Sequence, residues 1–240
     1  MHRDTIVSAS AWFVPRRIRS TEYLDSAMAD PALALRSLQD IRRSNGLFGG
    51  RAAVLSELRA TLEGSSGRSL TLLDVGTGTG DIPAAARDLA AAMGVTLRTV
   101  GLEWSTALAA ASRAQCGDAV TGDARCLPFG DRSVDLVICS QVLHHFVDAE
   151  AASLLRELHR VARVRVVVGE LRRSWIAAAG LWMVSWPLGF HPVSRHDGVV
   201  SVMRGYRCDE LRDLVRGATG VMPTARNRPG FRVTASWNPV

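Results

Sequence analysis

Three glycines at alternate positions, Gly76, Gly78 and Gly80, follow directly on the apolar run Leu72-Leu73-Asp74-Val75 and precede Asp81. Glycine enters backbone conformations denied to residues with a Cβ and lets a ligand lie against the chain, so this reads as a ligand-binding turn at the carboxyl end of a strand. The spacing restricts the ligand. A dinucleotide fingerprint G-x-G-x-x-G would carry its third glycine at position 81, where Asp81 instead sets a carboxylate against any pyrophosphate at the helix N-terminus. A cofactor without phosphates suits the turn better than NAD or FAD. Glu103 closes the apolar segment Leu97–Leu102, twenty-three residues beyond Gly80. Rossmann-like folds hold about there the carboxylate that accepts both ribose hydroxyls.

A third motif follows. Gly122-Asp123-Ala124 comes after the apolar pair Ala119-Val120, and Leu127-Pro128-Phe129, Asp131 and Val134-Asp135-Leu136-Val137 follow soon after. With these three motifs in order over residues 70–146, the chain resembles the class I S-adenosylmethionine (SAM) dependent methyltransferases. Within them it looks most like the ubiquinone/menaquinone methyltransferase-like group, which methylates quinols and related small lipophilic acceptors. The resemblance implies SAM as cofactor, bound by Asp74, Gly76, Gly78, Gly80, Asp81, Glu103, Trp104, Asp123, Ala124 and Ser140. Asp123 would face the adenine amino group and Trp104 would stack on the ring. Asn45 and Arg51 are candidates to reach the cofactor's carboxylate. The implied function is methyl transfer to a small lipophilic phenol, quinol or polyketide-type hydroxyl, with oxygen favoured over ring carbon as the target.

Methyl transfer from a sulfonium is an in-line displacement with an activated leaving group, so the enzyme mainly aligns and desolvates the acceptor. A phenol with a pKa of about 10 must still lose a proton, and a histidine near its ordinary value of about 6.5 can take it. His144 and His145 follow Cys139-Ser140-Gln141-Val142-Leu143 at the end of the fourth strand; in relatives, paired histidines here are structural or lie near the methionine moiety. His196 leads as base, because Arg195 and Asp197 flank it on the stretch Phe190–Gly198, which reads as irregular, and loops carry function more often than element interiors. Asp197 would stabilise the imidazolium. His191, before Pro192, reads as ending a helix. Trp175, Trp182, Met183 and Trp186 read as packing within the core or lid and together mark an apolar pocket.

Composition narrows the function classes. All 29 basic residues are arginine, which removes any Walker A or Schiff-base lysine. The excess of arginine fits a GC-rich coding sequence, and the arginines are scattered, so a net charge of +6 argues only weakly for nucleic acid. A nucleic-acid methyltransferase is the rival enzyme class; Ser140-Gln141-Val142-Leu143 stands where an N-P-P-Y or D-P-P-Y run would be. A reductase and a non-catalytic SAM-binding protein are the remaining rivals. Cys116, Cys126, Cys139 and Cys208 show no metal or disulfide spacing, so no metal site is expected. No signal peptide is read, and the longest apolar run, Trp175 to Phe190, is broken by Pro187 and too short to span a bilayer. A soluble cytoplasmic monomer or homodimer follows as the expectation.

The elements that must hold these residues alternate strand with helix, which predicts an α/β, Rossmann-like, doubly wound and mostly parallel sheet. The resemblance extends it to seven strands with an N-terminal helical cap, residues 1–63, over the cleft, and a core, residues 64–240. Residues 1–20 read as loose. Asp30-Pro31 opens a helix that Asn45-Gly46 ends; a second runs from about Arg51 to Leu62, and Gly64-Ser65-Ser66-Gly67 marks a boundary. Further helices are expected at Asp81–Ala92, at Thr106–Arg113, after Asp148 as cap, and near Asp209–Arg216. Strands are expected at Val134–Cys139, Val164–Gly169, Val221–Ala225 and Phe231–Ser236. Residues 171–205, superfluous to the core, are expected to form a substrate lid.

Overall fold

The computed structural model describes residues 14–25 and 30–239; residues 1–13 and 26–29 of the expected cap, and residue 240, lie outside the described residues. Seven strands, β1 (Ser69–Val75), β2 (Thr96–Glu103), β3 (Asp118–Thr121), β4 (Val134–Ser140), β5 (Ala162–Leu171), β6 (Thr224–Arg228) and β7 (Arg232–Trp237), form one sheet. Its order is β3-β2-β1-β4-β5-β7-β6. The first five strands are parallel and β7 is antiparallel to both neighbours. Order reverses between β1 and β4, and ligands of open α/β sheets bind at the carboxyl ends of strands beside such a switch.

Period-two alternation sorts the strand residues between two cores. Leu73 and Val75 of β1, Val137 and Cys139 of β4, and Val166 and Val168 of β5 pack toward α5 (Asp148–Val161) and α8 (Cys208–Thr219). Leu70, Leu72, Leu136, Ile138 and Val167 face the other way, onto α2 (Gly50–Glu63) and α3 (Asp81–Ala92). Burial on both faces explains why these strands read as continuous apolar runs.

Several expectations need correction. Val54, Leu58 and Leu62 of α2, within the expected cap, are fully buried in the second core. Helix α1 (Pro31–Leu47) passes through Asn45-Gly46, and the chain turns only at Gly49 with φ 72°. Asp148 is the first residue of α5 and Val147 its cap; the carboxylate instead binds Arg17 at 3.0 Å and Arg19 at 3.4 Å. Residues 14–22 are held rather than loose: Arg173 Nε donates to Pro15 O at 2.7 Å and Arg17 Nε to Arg204 O at 2.8 Å.

The insert between β5 and α8 is two helices, α6 (Trp175–Ser185) and α7 (Pro192–Arg204); α4 (Thr106–Cys116) completes the set. The stretch read as irregular around His196 is thus helical. Pro192 at the first helical position, with the His191 ring accepting from Val193 N at 3.3 Å, starts α7. His191 opens a helix instead of closing one.

Candidate active site

A cavity of about 1520 Å³ lies at the carboxyl ends of β1, β2 and β4, roofed by α1, α6, α7 and the segment around Glu22. The glycine turn forms part of its wall. Gly76 N–H and Thr77 N–H both donate to Leu102 O, at 2.9 and 3.3 Å, tying the turn to β2. All three glycines have positive φ, 72°, 56° and 76°, yet they serve different ends. A Cβ on Gly76 would collide with Val142, and one on Gly80 would lie 2.7 Å from Cys116 Sγ; on Gly78 its nearest neighbour is Leu38 Cδ2 at 3.6 Å. Gly76 and Gly78 belong to the wall, whereas Gly80 lies behind it as a packing glycine.

Three carboxylates surround this turn. Glu103 Oε1 accepts from Gly78 N–H at 2.6 Å; burial raises its pKa against that bond. Asp81, buried at the start of α3, is likewise raised by burial. Asp74 lies just behind the wall, where Thr77 Oγ1 donates to Oδ2 at 2.9 Å. Burial, reinforced by the charges of Asp81 and Glu103 and opposed by the Thr77 bond, lifts Asp74 to about 7. Asp74 Oδ1 and Asp81 Oδ2 are buried without a hydrogen-bond partner. Such a site is complementary to a ligand bringing hydrogen-bond donors and positive charge, and repels a pyrophosphate.

The remaining cofactor candidates divide. Trp104, 58% exposed, lies on the wall with Asp123, Ala124 and Ser140. Asp123 is gripped by its neighbour: Oδ1 accepts from Arg125 N at 2.8 Å and Oδ2 from Arg125 Nη2 at 2.9 Å, which lowers its pKa. Asn45 lines the cavity, but its Oδ1 accepts from Gln141 Nε2, and Gln141 Oε1 in turn accepts from Arg232 Nη1 at 2.8 Å. Arg51 is not part of the wall; its charge acts on Asp81. The guanidinium on the wall beside that chain is Arg232, whose pKa burial lowers to about 10.

Under α7 the cavity ends in a cluster of charge. The turn after β4, a 3₁₀ turn over Leu143–His145, presents two imidazoles with centroids 4.3 Å apart. His144 is buried, its Nδ1 2.8 Å from Glu170 Oε2. Burial acts to raise Glu170, yet the bonded His144, with His145 behind it, holds it below the ordinary value. His145 Nδ1 lies 2.6 Å from Asp25 Oδ1. Burial would raise Asp25 too, but bonds from His145 and from Arg204 Nη1 at 2.6 Å hold it well down. Both carboxylates are therefore acceptors toward Nδ1–H of each ring, and Nε2 is the ring nitrogen outside that contact. Glu22, raised by burial, sits 3.3 Å from Arg204 Nη1. Glu22, His144 and His145 are also the group among the described residues whose ligand atoms approach closely enough, within 4.8 Å, to share a cation; the Arg204 guanidinium already supplies a positive charge to Glu22.

His196 and Asp197 do not join this site. The His196 side chain is 66% exposed on α7 and outside the cavity wall. It pairs with Asp197 at 2.9 Å, and the buried Asp197 also accepts from Tyr23 N at 3.0 Å, tying α7 to the N-terminal segment. Helical periodicity separates them from the wall: Ser194, Gly198, Ser201 and Val202 are the α7 residues that line it. Sequence reading missed Glu22, Asp25, Glu170, Arg204 and Arg232. Glu170 carried a signal, a lone carboxylate ending the apolar run of β5; Asp25 and Glu22 carried none, because only the tertiary fold brings them to β4.

Comparisons with known proteins agree with this arrangement. Residues 73–167, from β1 to β5, match a family profile described as a methyltransferase domain. That segment is similar to methyltransferase domains, and the chain as a whole shares the fold of solved methyltransferases. A solved SAM-dependent methyltransferase from Aquifex aeolicus superposes on it with a TM-score of 0.59 at 15% identity, covering 88% of this chain and 99% of that one. Magnesium protoporphyrin IX methyltransferase from Synechocystis, solved with bound S-adenosylhomocysteine, gives 0.54 at 18% identity over 84% and 86%. A curated relative, an uncharacterized methyltransferase of Mycolicibacterium gilvum, is 30% identical over 163 residues, 66% of this chain and 55% of the relative. The chain thus spans about half the length of the curated relative it matches. The matched segment holds the glycine turn, Glu103, Asp123, the paired histidines and most of β5, while Asp25, α6 and α7 lie outside it.

Proposed function

We propose that this chain transfers the methyl group of SAM to a hydroxyl of a small lipophilic acceptor, a phenol or quinol-like ring. The observation that carries the reading is the convergence of Asp81 and Glu103 on the cavity side of an open glycine turn, where Glu103 accepts from Gly78 N–H and Asp81 Oδ2 lacks a donor. SAM suits these surroundings, since it brings ribose hydroxyls, an ammonium and a sulfonium and no phosphate; when bound it supplies an activated methyl group. Glu103 would hold the ribose hydroxyls, Trp104 the adenine face, and Arg232 the carboxylate.

The cavity of about 1520 Å³ exceeds the roughly 300–1,000 Å³ that one small ligand occupies, so cofactor and acceptor can sit together. On the acceptor side Ile176, Ala177, Leu181 and Val202 of the insert favour an apolar body. His145 is the general base in this reading: Asp25 orients it through Nδ1 and stabilises the cation formed when Nε2 takes the hydroxyl proton. His144, bound to Glu170, positions the turn. Closure of α6 and α7 over the acceptor would exclude water from the methyl group.

Calorimetry tests the cofactor assignment. S-adenosylhomocysteine should bind, and NAD should not. Binding of NAD with no binding of S-adenosylhomocysteine would overturn the reading.

A further inference from the structure

Helix α6 is apolar all round, without a charged residue from Trp175 to Ser185. Such helices are ordinarily buried. This one is not: Trp175, Ile176, Trp182, Met183 and Trp186 are between 51% and 69% exposed. Trp175, Trp182, Met183 and Trp186 recur at helical spacing and form one outer face, while Ile176, at its edge, joins Ala177, Gly180 and Leu181 on the cavity wall. The tryptophans were expected to pack within the core or lid; the small residues of α6 do that packing instead. A contiguous exposed patch of this kind marks an interaction surface.

We infer that this face seats the protein on an anionic lipid bilayer, with α6 lying along the interface beside the cavity. Three features select that occupant. Tryptophan predominates on the face, and its amphipathic ring favours the headgroup level of a membrane. Residues 171–196 contain no carboxylate, and of their three arginines Arg173 is buried and paired with Glu210, which leaves Arg172 and Arg195 as the cations of this stretch. Arg172 stands just before α6, and Arg195 stacks over the Trp186 ring at 3.8 Å, so cations flank the apolar face where they would meet acidic headgroups. A second copy of the chain is disfavoured by the same arginines, because a two-fold interface would bring each patch against itself and like charge against like. At 11 residues the helix is about 16 Å long, half the roughly 30 Å of a hydrocarbon core. Among the described residues no helix is long and apolar enough to cross a membrane. Its geometry is that of an interfacial helix. The inference is independent of the acceptor, although a membrane-dissolved substrate could then pass under α6 into the cavity without entering bulk water.

The full chain is tested by co-sedimentation with vesicles of phosphatidylglycerol mixed with phosphatidylcholine, and with phosphatidylcholine alone, alongside light scattering. Wild type should bind the mixed vesicles with a blue shift in tryptophan emission and bind phosphatidylcholine more weakly. Trp182→Ser/Met183→Ser should weaken binding at least about tenfold, and Arg195→Gln about fivefold, with melting temperatures near wild type. Failure of wild type to bind either vesicle would overturn the inference, as would equal binding by the double variant. A dimer dispersed by Trp182→Ser/Met183→Ser would also overturn it, assigning the face to a second copy.

Discussion

His145 Nδ1 and Asp25 Oδ1 lie 2.6 Å apart across 120 residues of sequence. The pair joins the turn after β4 to the N-terminal segment that crosses the cavity. That contact orients one imidazole, the candidate base, while the other, His144, is bonded to Glu170 in the interior.

His145→Ala and Asp25→Asn should each lower turnover by roughly 10² to 10⁴-fold, the usual contribution of general-base catalysis. Calorimetry of both variants should show S-adenosylhomocysteine affinity near wild type. Affinity lost in step with turnover would make the pair part of the cofactor site instead.

Glu103→Ala should weaken S-adenosylhomocysteine binding by roughly 1.5 to 3 kcal/mol, the range for hydrogen bonds to a charged partner. Gly78→Val should weaken it further, since Gly78 is the glycine with open space before it and φ 56° strains any β-branched residue. Titration of the folded variants measures both effects.

Gly80→Ala should act on stability. Its Cβ would lie 2.7 Å from Cys116 Sγ and 2.9 Å from Gln115 Cβ, an overpacking that costs roughly 1 to 3 kcal/mol. Denaturant unfolding should reveal the loss.

The three glycines show what was legible in the sequence. Their spacing marked the turn, the strand before it and Asp81 after it, because backbone conformation is a local property. Their separate roles depended on Val142, Leu38 and Cys116, which the fold brings from distant positions. The sheet was readable for the same reason: β1, β4 and β5 are buried on both faces and appear as apolar runs. The stretch around His196 read as irregular because flanking charges and a proline looked like a loop, whereas Pro192 starts α7 and the helical repeat turns His196 outward. Asp25 had no sequence signal at all.

Asp74 gives a pH prediction. Its folded pKa of about 7 stands above the ordinary 3.8. Between those values the unfolded chain has lost the proton that the folded protein keeps, so stability falls as pH rises, by up to about 1.4 kcal/mol per pH unit from this group. Asp74→Asn should remove that slope. Unfolding curves of both proteins from pH 4 to 8 compare them, and parallel profiles would contradict the buried, uncharged state.

The most direct measurement follows label from methyl-labelled SAM into an alkylated phenol or into RNA, using wild type, His145→Ala and His196→Ala. Transfer to the phenol by wild type and by His196→Ala, with loss in His145→Ala and none into RNA, is the predicted result. Label in RNA with none in the phenol, or full transfer by His145→Ala with loss in His196→Ala, would contradict it.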